Sequence, residues 1–200
     1  MQMSPVILAS GSVARARLLR DAGVQFEVER PRVDEEAIRR SLSAGGTSPR
    51  DIADALAEAK ALKVTSRRPD ALVVGSDQLL EFNGALLSKP RHPKDALAQL
   101  HALAGGRHTL YTAAVVCEAG TPVWRYVSEV RLQMRPASEA YLASYVERLW
   151  DEIRDCVGCY RIEGEGVRLF DRIDGDLFAV QGLPLIQLLS WLSLRGSLPA

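Results

Sequence analysis

Along the chain the apolar positions change period repeatedly, and each change marks a switch between strand and helix. Val6-Ile7-Leu8-Ala9 is an unbroken apolar run of strand length, which predicts a short buried strand. Ser10-Gly11-Ser12 then supplies turn chemistry and a helix cap. Over residues 14–22, Leu18, Leu19 and Ala22 recur at helical spacing, and Gly23 ends the helix. Residues 25–29 alternate as a half-exposed strand does. A short helix is expected over residues 35–42, stopping near Gly45-Gly46. Ser48 as cap, Pro49 at the first helical position and Asp51 in the first turn open a longer one. Its buried stripe is expected to run through Ile52, Ala55, Leu56 and Ala59, with Lys60 on the flank.

A second buried strand over residues 71–74 leads into the polar segment Gly75-Ser76-Asp77-Gln78. Asn83-Gly84, a strong short hairpin signal, separates two strand-like stretches at residues 79–82 and 85–88. Pro93–Leu103 reads as a helix closed by Gly105-Gly106. Two long strands follow, over residues 108–117 and 123–134, joined at Ala119-Gly120-Thr121-Pro122. Ser138 caps a helix reaching Trp150, and residues 167–170 look like a strand in a glycine-punctuated stretch. Leu183-Pro184-Leu185 begins a strongly apolar last helix, which either completes the core or builds a homodimer face. With no internal repeat and no linker, the pattern predicts an α/β fold, a twisted mixed β-sheet flanked by helices, in one unit over residues 1–200.

Composition narrows the function classes. Hydrophobic residues make up 47% of the chain, enough for a sizeable core and against disorder. Lys plus Arg and Asp plus Glu each number 25, so the formal charge is zero, which argues against nucleic acid as the main partner. No apolar run approaches the roughly 20 residues that span a bilayer. The opening Met1-Gln2-Met3-Ser4-Pro5 lacks the charged start of a signal peptide, so a cytoplasmic protein with no membrane partner is expected. Cys117, Cys156 and Cys159 form no even-numbered disulfide framework. Cys156-Val-Gly-Cys159 has a metal-site spacing but lacks the other ligands a zinc site needs, and His92, His101 and His108 show no mutual metal spacing.

Four places carry candidate chemistry. Ser10, Ser12 and Arg15, between a strand end and a helix start, suit phosphate oxygens; an ordinary serine cap with a solvated arginine is the plain alternative. Asp77 follows a buried strand, where it can serve as metal ligand, as general base for water, or simply as a turn residue. Lys89, just past the hairpin, is placed to fold back toward the same mouth or to remain a surface lysine. Glu163 sits beside Gly164, where backbone can approach a ligand closely and a carboxylate can accept from a base's N–H groups.

In order along the chain, Ser10-Gly11-Ser12-Val13-Ala14-Arg15 with Leu18-Leu19, Val33-Asp34-Glu35, Ala59-Lys60-Ala61, Gly75-Ser76-Asp77-Gln78, Ser88-Lys89-Pro90, Gly158-Cys159-Tyr160-Arg161-Ile162-Glu163-Gly164 and Val180-Gln181-Gly182-Leu183-Pro184-Leu185 resemble the Maf family. The resemblance covers nearly the whole chain. It implies a fold like that of inosine-triphosphate pyrophosphatases, with a deep cleft between two lobes. It also implies metal-dependent hydrolysis of nucleoside triphosphates to monophosphate and pyrophosphate, and a link with inhibition of septum formation and cell-division arrest. Carried over by position, Asp77 is the proton acceptor, and Ser10, Ser12, Arg15, Lys60 and Lys89 hold the triphosphate. Glu35 joins Asp77 around a divalent cation such as Mg, Mn or Co. Three positions sort the family by substrate: members acting on dTTP and UTP look like Arg, Thr and Gln there, and the 7-methyl-GTP group resembles an aromatic, Gln and Glu. Here they are Ala14, Gln78 and Glu163; two point to the 7-methyl-GTP side, and Ala14 fits neither pattern. A dTTP/UTP pyrophosphatase and a non-enzymatic nucleotide-binding septum inhibitor are the alternatives.

Overall fold

In a computed structural model that describes residues 4–198, the chain builds one seven-stranded mixed sheet with helices on both faces. Met1-Gln2-Met3 of the opening lie outside the described residues. The elements are β1 (Val6–Ala9), α1 (Val13–Asp21), β2 (Glu27–Val28), α2 (Glu35–Ala44), α3 (Pro49–Thr65), β3 (Leu72–Phe82), β4 (Ala85–Leu87) and α4 (Pro93–Leu103). After them come β5 (Arg107–Glu118), β6 (Thr121–Met134), α5 (Glu139–Ile153), a 3₁₀ turn (Glu165–Leu169), β7 (Phe170–Asp174), α6 (Leu177–Val180) and α7 (Leu185–Leu194). Strands run in the order β2-β1-β3-β5-β6-β7, with β4 paired to β3. The contacts of β1 with β2 and β3 are parallel, and all the others are antiparallel.

Alternation along the strands divides the core. Ile7, Val73 and Val115 face α3, with Ile52, Leu56 and Val64 packed on them. Leu8, Val74 and Val116 face the other way, against Leu19 of α1 and Leu188 and Leu192 of α7. A third cluster, built on Leu80, Leu110 and Leu132 with α4 and α5, forms the second lobe. The apolar α7 thus buries Leu185, Leu188 and Leu192 in the first lobe's core. No helix among the described residues is long and apolar enough to cross a membrane.

The caps follow the sequence: the Ser12, Ser48 and Ser138 side chains each accept from the backbone N–H three residues on. Several expectations are corrected. The strand at residues 71–74 and the polar segment after it are one continuous strand, β3, so Asp77 lies mid-strand and not beyond a strand end. Antiparallel pairing with β5, Asp77 opposite Ala113, carries the backbone straight through Gly75-Ser76-Asp77. The buried stripe of α3 is Ile52, Ala53, Leu56, Ala57, Lys60, Ala61 and Val64, so Ala55 and Ala59 flank it and Lys60 points inward. Strand β2 is two residues long, and its side chains are exposed on an edge. Residues 165–169 form a 3₁₀ turn before β7, where the sequence pattern predicts a strand from residue 167. The β5–β6 connection is the two-residue turn Ala119-Gly120, both with positive φ, because pairing extends to Glu118 opposite Thr121.

One topological detail opens the cleft. On the edge of β3 away from β5, β1 ends with Ala9 opposite Gly75, and β4 ends with Leu87 opposite Leu80. Residues 76–79 therefore have no strand on that side, and the gap between β1 and β4 is the floor of a cleft of about 1030 Å³.

Candidate active site

Asp77 stands on that floor. Odd-numbered residues of β3 face α3, so the Asp77 carboxylate and the Lys60 ammonium meet across the sheet–helix interface at 2.6 Å. Their approach depends on Gly75: a Cβ there would lie 2.1 Å from the Ala57 carbonyl oxygen and 2.7 Å from the Ala61 nitrogen. Glycine is the residue that lets α3 come close enough. Lys60 Nζ also donates to the Ser76 carbonyl at 3.4 Å and sits 3.1 Å from Glu35 Oε2, which α2 brings in from its first turn. Lys60 and Asp77 are both buried, whereas Glu35 is half exposed at the cleft mouth.

Burial pushes the Asp77 carboxyl above the usual carboxylate range; Lys60 and Arg15 pull the other way, and Glu35 adds to the rise. A buried carboxylate raised in this way is a better proton acceptor than one in water, provided its cations keep it ionised.

At the other wall, the start of α1 forms a polar cup. Ser10 Oγ accepts from the Ser12 N–H at 3.2 Å and from Arg15 Nη1 at 3.2 Å. Arg15 Nε donates to the Gly182 carbonyl at 2.7 Å. The first-turn N–H groups of a helix lack intrahelical acceptors, so this end carries partial positive charge beside a buried guanidinium. Burial lowers the pKa of Arg15, against the raising effects of Asp77 and Glu35.

All the expected site residues line this one cleft: Ser10, Ser12, Ala14, Arg15, Glu35, Lys60, Asp77, Gln78, Lys89 and Glu163. They do not do equal work. Lys89 is exposed, enters from the loop after β4 and has no ion pair among the described residues. Gln78 spends its amide nitrogen on Thr112 Oγ1 at 2.9 Å and on the Ala179 and Val180 carbonyls at 2.8 and 3.1 Å. Glu163 Oε1 accepts from Arg161 Nε at 3.0 Å, and Arg161 also reaches Glu152 at 2.9 Å.

Cleft residues not singled out from the sequence include further charged groups. Arg17, Arg30 and Arg39, with Glu36 among them, join the wall of α1 and α2, and Asp151, Glu152 and Asp155 at the end of α5, with Arg161, join the wall that carries Glu163. Arg30 stands on an irregular loop with no periodic signal, and it enters the site by lying over Gly11. On balance one wall is basic and the other acidic.

Among the described residues no three His, Cys, Asp or Glu side chains gather as a closed metal cage. The Glu35–Asp77 pair, already bridged by the Lys60 ammonium, is a two-carboxylate donor set. Such a set fits a hard divalent cation that takes its other ligands from water and phosphate, in the manner of magnesium. Cys117, Cys156 and Cys159 are free; burial pushes the Cys156 thiol up to about 11 and the Cys159 thiol up to about 12, which suits neither thiolate ligation nor nucleophilic attack.

Comparison with known proteins covers nearly the full length of the chain. The chain is 57% identical to the nucleoside triphosphate pyrophosphatase of Roseobacter denitrificans over 195 residues, 98% of each chain. It is 56% identical to the protein of that name from Ruegeria pomeroyi over 192 residues, 96% of each. With the one from Caulobacter vibrioides it shares 48% over 198 residues, 99% of each. Residues 5–194 match the model of the family described as Maf-like protein, and to that family the chain belongs.

Proposed function

We propose that this chain is a nucleoside triphosphate pyrophosphatase that uses Asp77 to deprotonate a water attacking the α-phosphorus, releasing the monophosphate and pyrophosphate. The observation that carries the reading is the buried carboxylate of Asp77, held 2.6 Å from Lys60 in the gap between β1 and β4, opposite the Ser10–Arg15 cup. The family relationship supports the general reaction: the relatives above carry it in their names.

Phosphoryl chemistry of this kind is mostly positioning and charge neutralisation. Ser10, Ser12 and Arg15 take phosphate oxygens at the α1 cup, and Lys60 and Lys89 add cations at the floor and rim. In the free enzyme the donors of Lys60 go to Asp77, Glu35 and the Ser76 carbonyl. An incoming phosphate competes for that ammonium, and its release from the carboxylates leaves them free to act. Glu35 and Asp77 are the residues to hold a magnesium-, manganese- or cobalt-type cation, which when bound neutralises phosphate charge and favours departure of pyrophosphate.

The acidic wall receives the base. Glu163 has one carboxylate oxygen on Arg161 and the other left to accept from base N–H groups. Gln78, with its nitrogen engaged, offers Oε1, a further acceptor. Ala14 adds no stacking side chain. This chemistry favours a purine with donors on its edge, guanine or 7-methylguanine, over the pyrimidines dTTP and UTP. A screen of canonical and methylated triphosphates, read as pyrophosphate against orthophosphate, tests both levels. Pyrophosphate from guanine-type triphosphates, with that preference lost in Glu163→Gln, is the expected outcome. Orthophosphate as first product defeats the reaction, and an unchanged substrate profile in Glu163→Gln defeats the base assignment.

A further inference from the structure

On the face of β3 turned away from Asp77, a chain of buried polar groups interrupts an otherwise apolar surface. Ser76 and Thr112 are both fully buried. A hydroxyl there costs free energy unless it is hydrogen-bonded, and each is bonded to backbone in a single short segment. Ser76 Oγ donates to the Gly182 carbonyl at 3.0 Å. Thr112 Oγ1 donates to the Ala179 carbonyl at 2.8 Å and lies 2.9 Å from Gln78 Nε2. Gln78 Nε2 is in turn 2.8 Å from the Ala179 carbonyl and 3.1 Å from the Val180 carbonyl. Carbonyls only accept, so they fix the orientation of the Gln78 amide with its nitrogen toward α6.

Three side chains on two strands thus grip the carbonyls of residues 179, 180 and 182. The segment needs such a grip. Helix α6 is one turn long, and an isolated turn does not hold itself. Gly182 follows with φ +110°, a conformation that suits glycine and turns its carbonyl inward. That carbonyl accepts from Arg15 Nε at 2.7 Å as well as from Ser76. The path from the sheet to the guanidinium is therefore continuous: strand hydroxyls and amide, backbone carbonyls, then Arg15.

We propose that Thr112, Gln78 and Ser76 are positioning residues, which lock residues 179–182 so that the Gly182 carbonyl aims the Arg15 guanidinium into the phosphate cup. The inference rests on the reading of that cup as the phosphate site. It gives Gln78 a second role: the residue that stands at a substrate-sorting position also braces the phosphate arginine. A rigidly aimed guanidinium keeps more of its binding energy than one that must be ordered by the ligand.

The test is calorimetric titration with inorganic tripolyphosphate, with divalent cations chelated, which reads the cup without base recognition. Thr112→Val keeps the shape and removes the hydroxyl, Thr112→Ser keeps the hydroxyl, and Arg15→Ala provides the background for a double-variant cycle. The expected result is binding about fivefold to tenfold weaker in Thr112→Val, recovery to within about twofold in Thr112→Ser, and no further loss from Thr112→Val when Arg15 is already alanine. Unchanged binding in Thr112→Val overturns the proposal, and so does an equal loss in both backgrounds, which would mean general loosening. If Thr112→Val does not fold, Ser76→Ala goes through the same cycle with the same two deciding outcomes. A wild-type protein that binds tripolyphosphate but releases no pyrophosphate defeats the catalytic reading and leaves this inference standing; one that does not bind tripolyphosphate overturns both.

Discussion

Lys60→Met removes the cation beside Asp77 and keeps an unbranched apolar stem along the inner face of α3. The two side chains are 6% and 8% exposed, with 2.6 Å between Nζ and Oδ1. Breaking a buried pair by deleting one partner costs on the order of 3–5 kcal/mol, because a bare charge stays behind. A carboxylate has an escape, which is to fold protonated. Against an unfolded value of 3.8, taking up that proton at neutral pH costs about 1.4 kcal/mol for each of roughly three pH units, capping the penalty at ~4 kcal/mol. Arg15 still faces Asp77 and lowers it further.

The pH dependence has a definite sign. Burial already raises the folded-state value of Asp77 above the unfolded one, and loss of Lys60 raises it more. Between the parent's folded value and the variant's, the folded variant holds a proton that the folded parent has released. The destabilisation therefore grows as pH rises through that window and shrinks as pH falls, by up to about 1.4 kcal/mol per unit. Urea unfolding from about pH 5 to pH 8 reads this directly for the parent, Lys60→Met, and Lys60→Met with Asp77→Asn. The amide carries no charge to desolvate, so the double variant is expected to be more stable than Lys60→Met at neutral pH. A Lys60→Met penalty that is flat with pH, or a double variant no more stable than the single, refutes the argument.

Two further perturbations probe the support of the site. Gly75→Ala drives a methyl into the Ala57 carbonyl and the Ala61 nitrogen, so α3 must back away; the expected cost is about 1–3 kcal/mol of stability and, for a shift of about 1 Å at Lys60, on the order of 10²-fold in turnover. Thermal melting and pyrophosphate release check it, and full activity in Gly75→Ala means that α3 does not set the Lys60–Asp77 geometry. His108 is buried against Tyr160, with Nε2 2.8 Å from the tyrosine oxygen, and desolvation lowers its pKa to about 4 from 6.5. Its neutral form is favoured by folding, so that stability is present above pH 6.5 and is lost as pH falls toward 4, by about 3 kcal/mol at most. Urea midpoints over that range should drop in the parent more steeply than in His108→Gln; parallel curves would exclude His108 as the cause.

Much of the frame is legible locally because local chemistry decides it. Serines 12, 48 and 138 start helices where their side chains cap, and Asn83-Gly84 turns a hairpin with φ of +52° and +79°. What is not legible is decided by distant partners. Gly75-Ser76-Asp77 has the composition of a turn, yet β5 on one edge and α3 on one face hold it as strand. Lys60 on the core face of α3 makes sense once a carboxylate 17 residues later is known to meet it. The bracing of residues 179–182 by Thr112 is equally invisible, since its two ends lie 67 residues apart. Ser10, Ser12, Arg15, Asp77, Lys89 and Glu163 are candidates on local chemistry, while their roles and the addition of Glu35 and Lys60 come from a resemblance in motif order; the structure adds that all share one cleft whose two walls differ in net charge.

The most direct test of the account is the rate of pyrophosphate release from a guanine-type nucleoside triphosphate by the wild-type protein and by Asp77→Asn, at matched tripolyphosphate affinity. Loss of a positioned general base is worth about 10²–10⁴ in rate. Pyrophosphate from the wild type and a fall of at least about 10²-fold in Asp77→Asn is the predicted result; equal rates from the two proteins would contradict it.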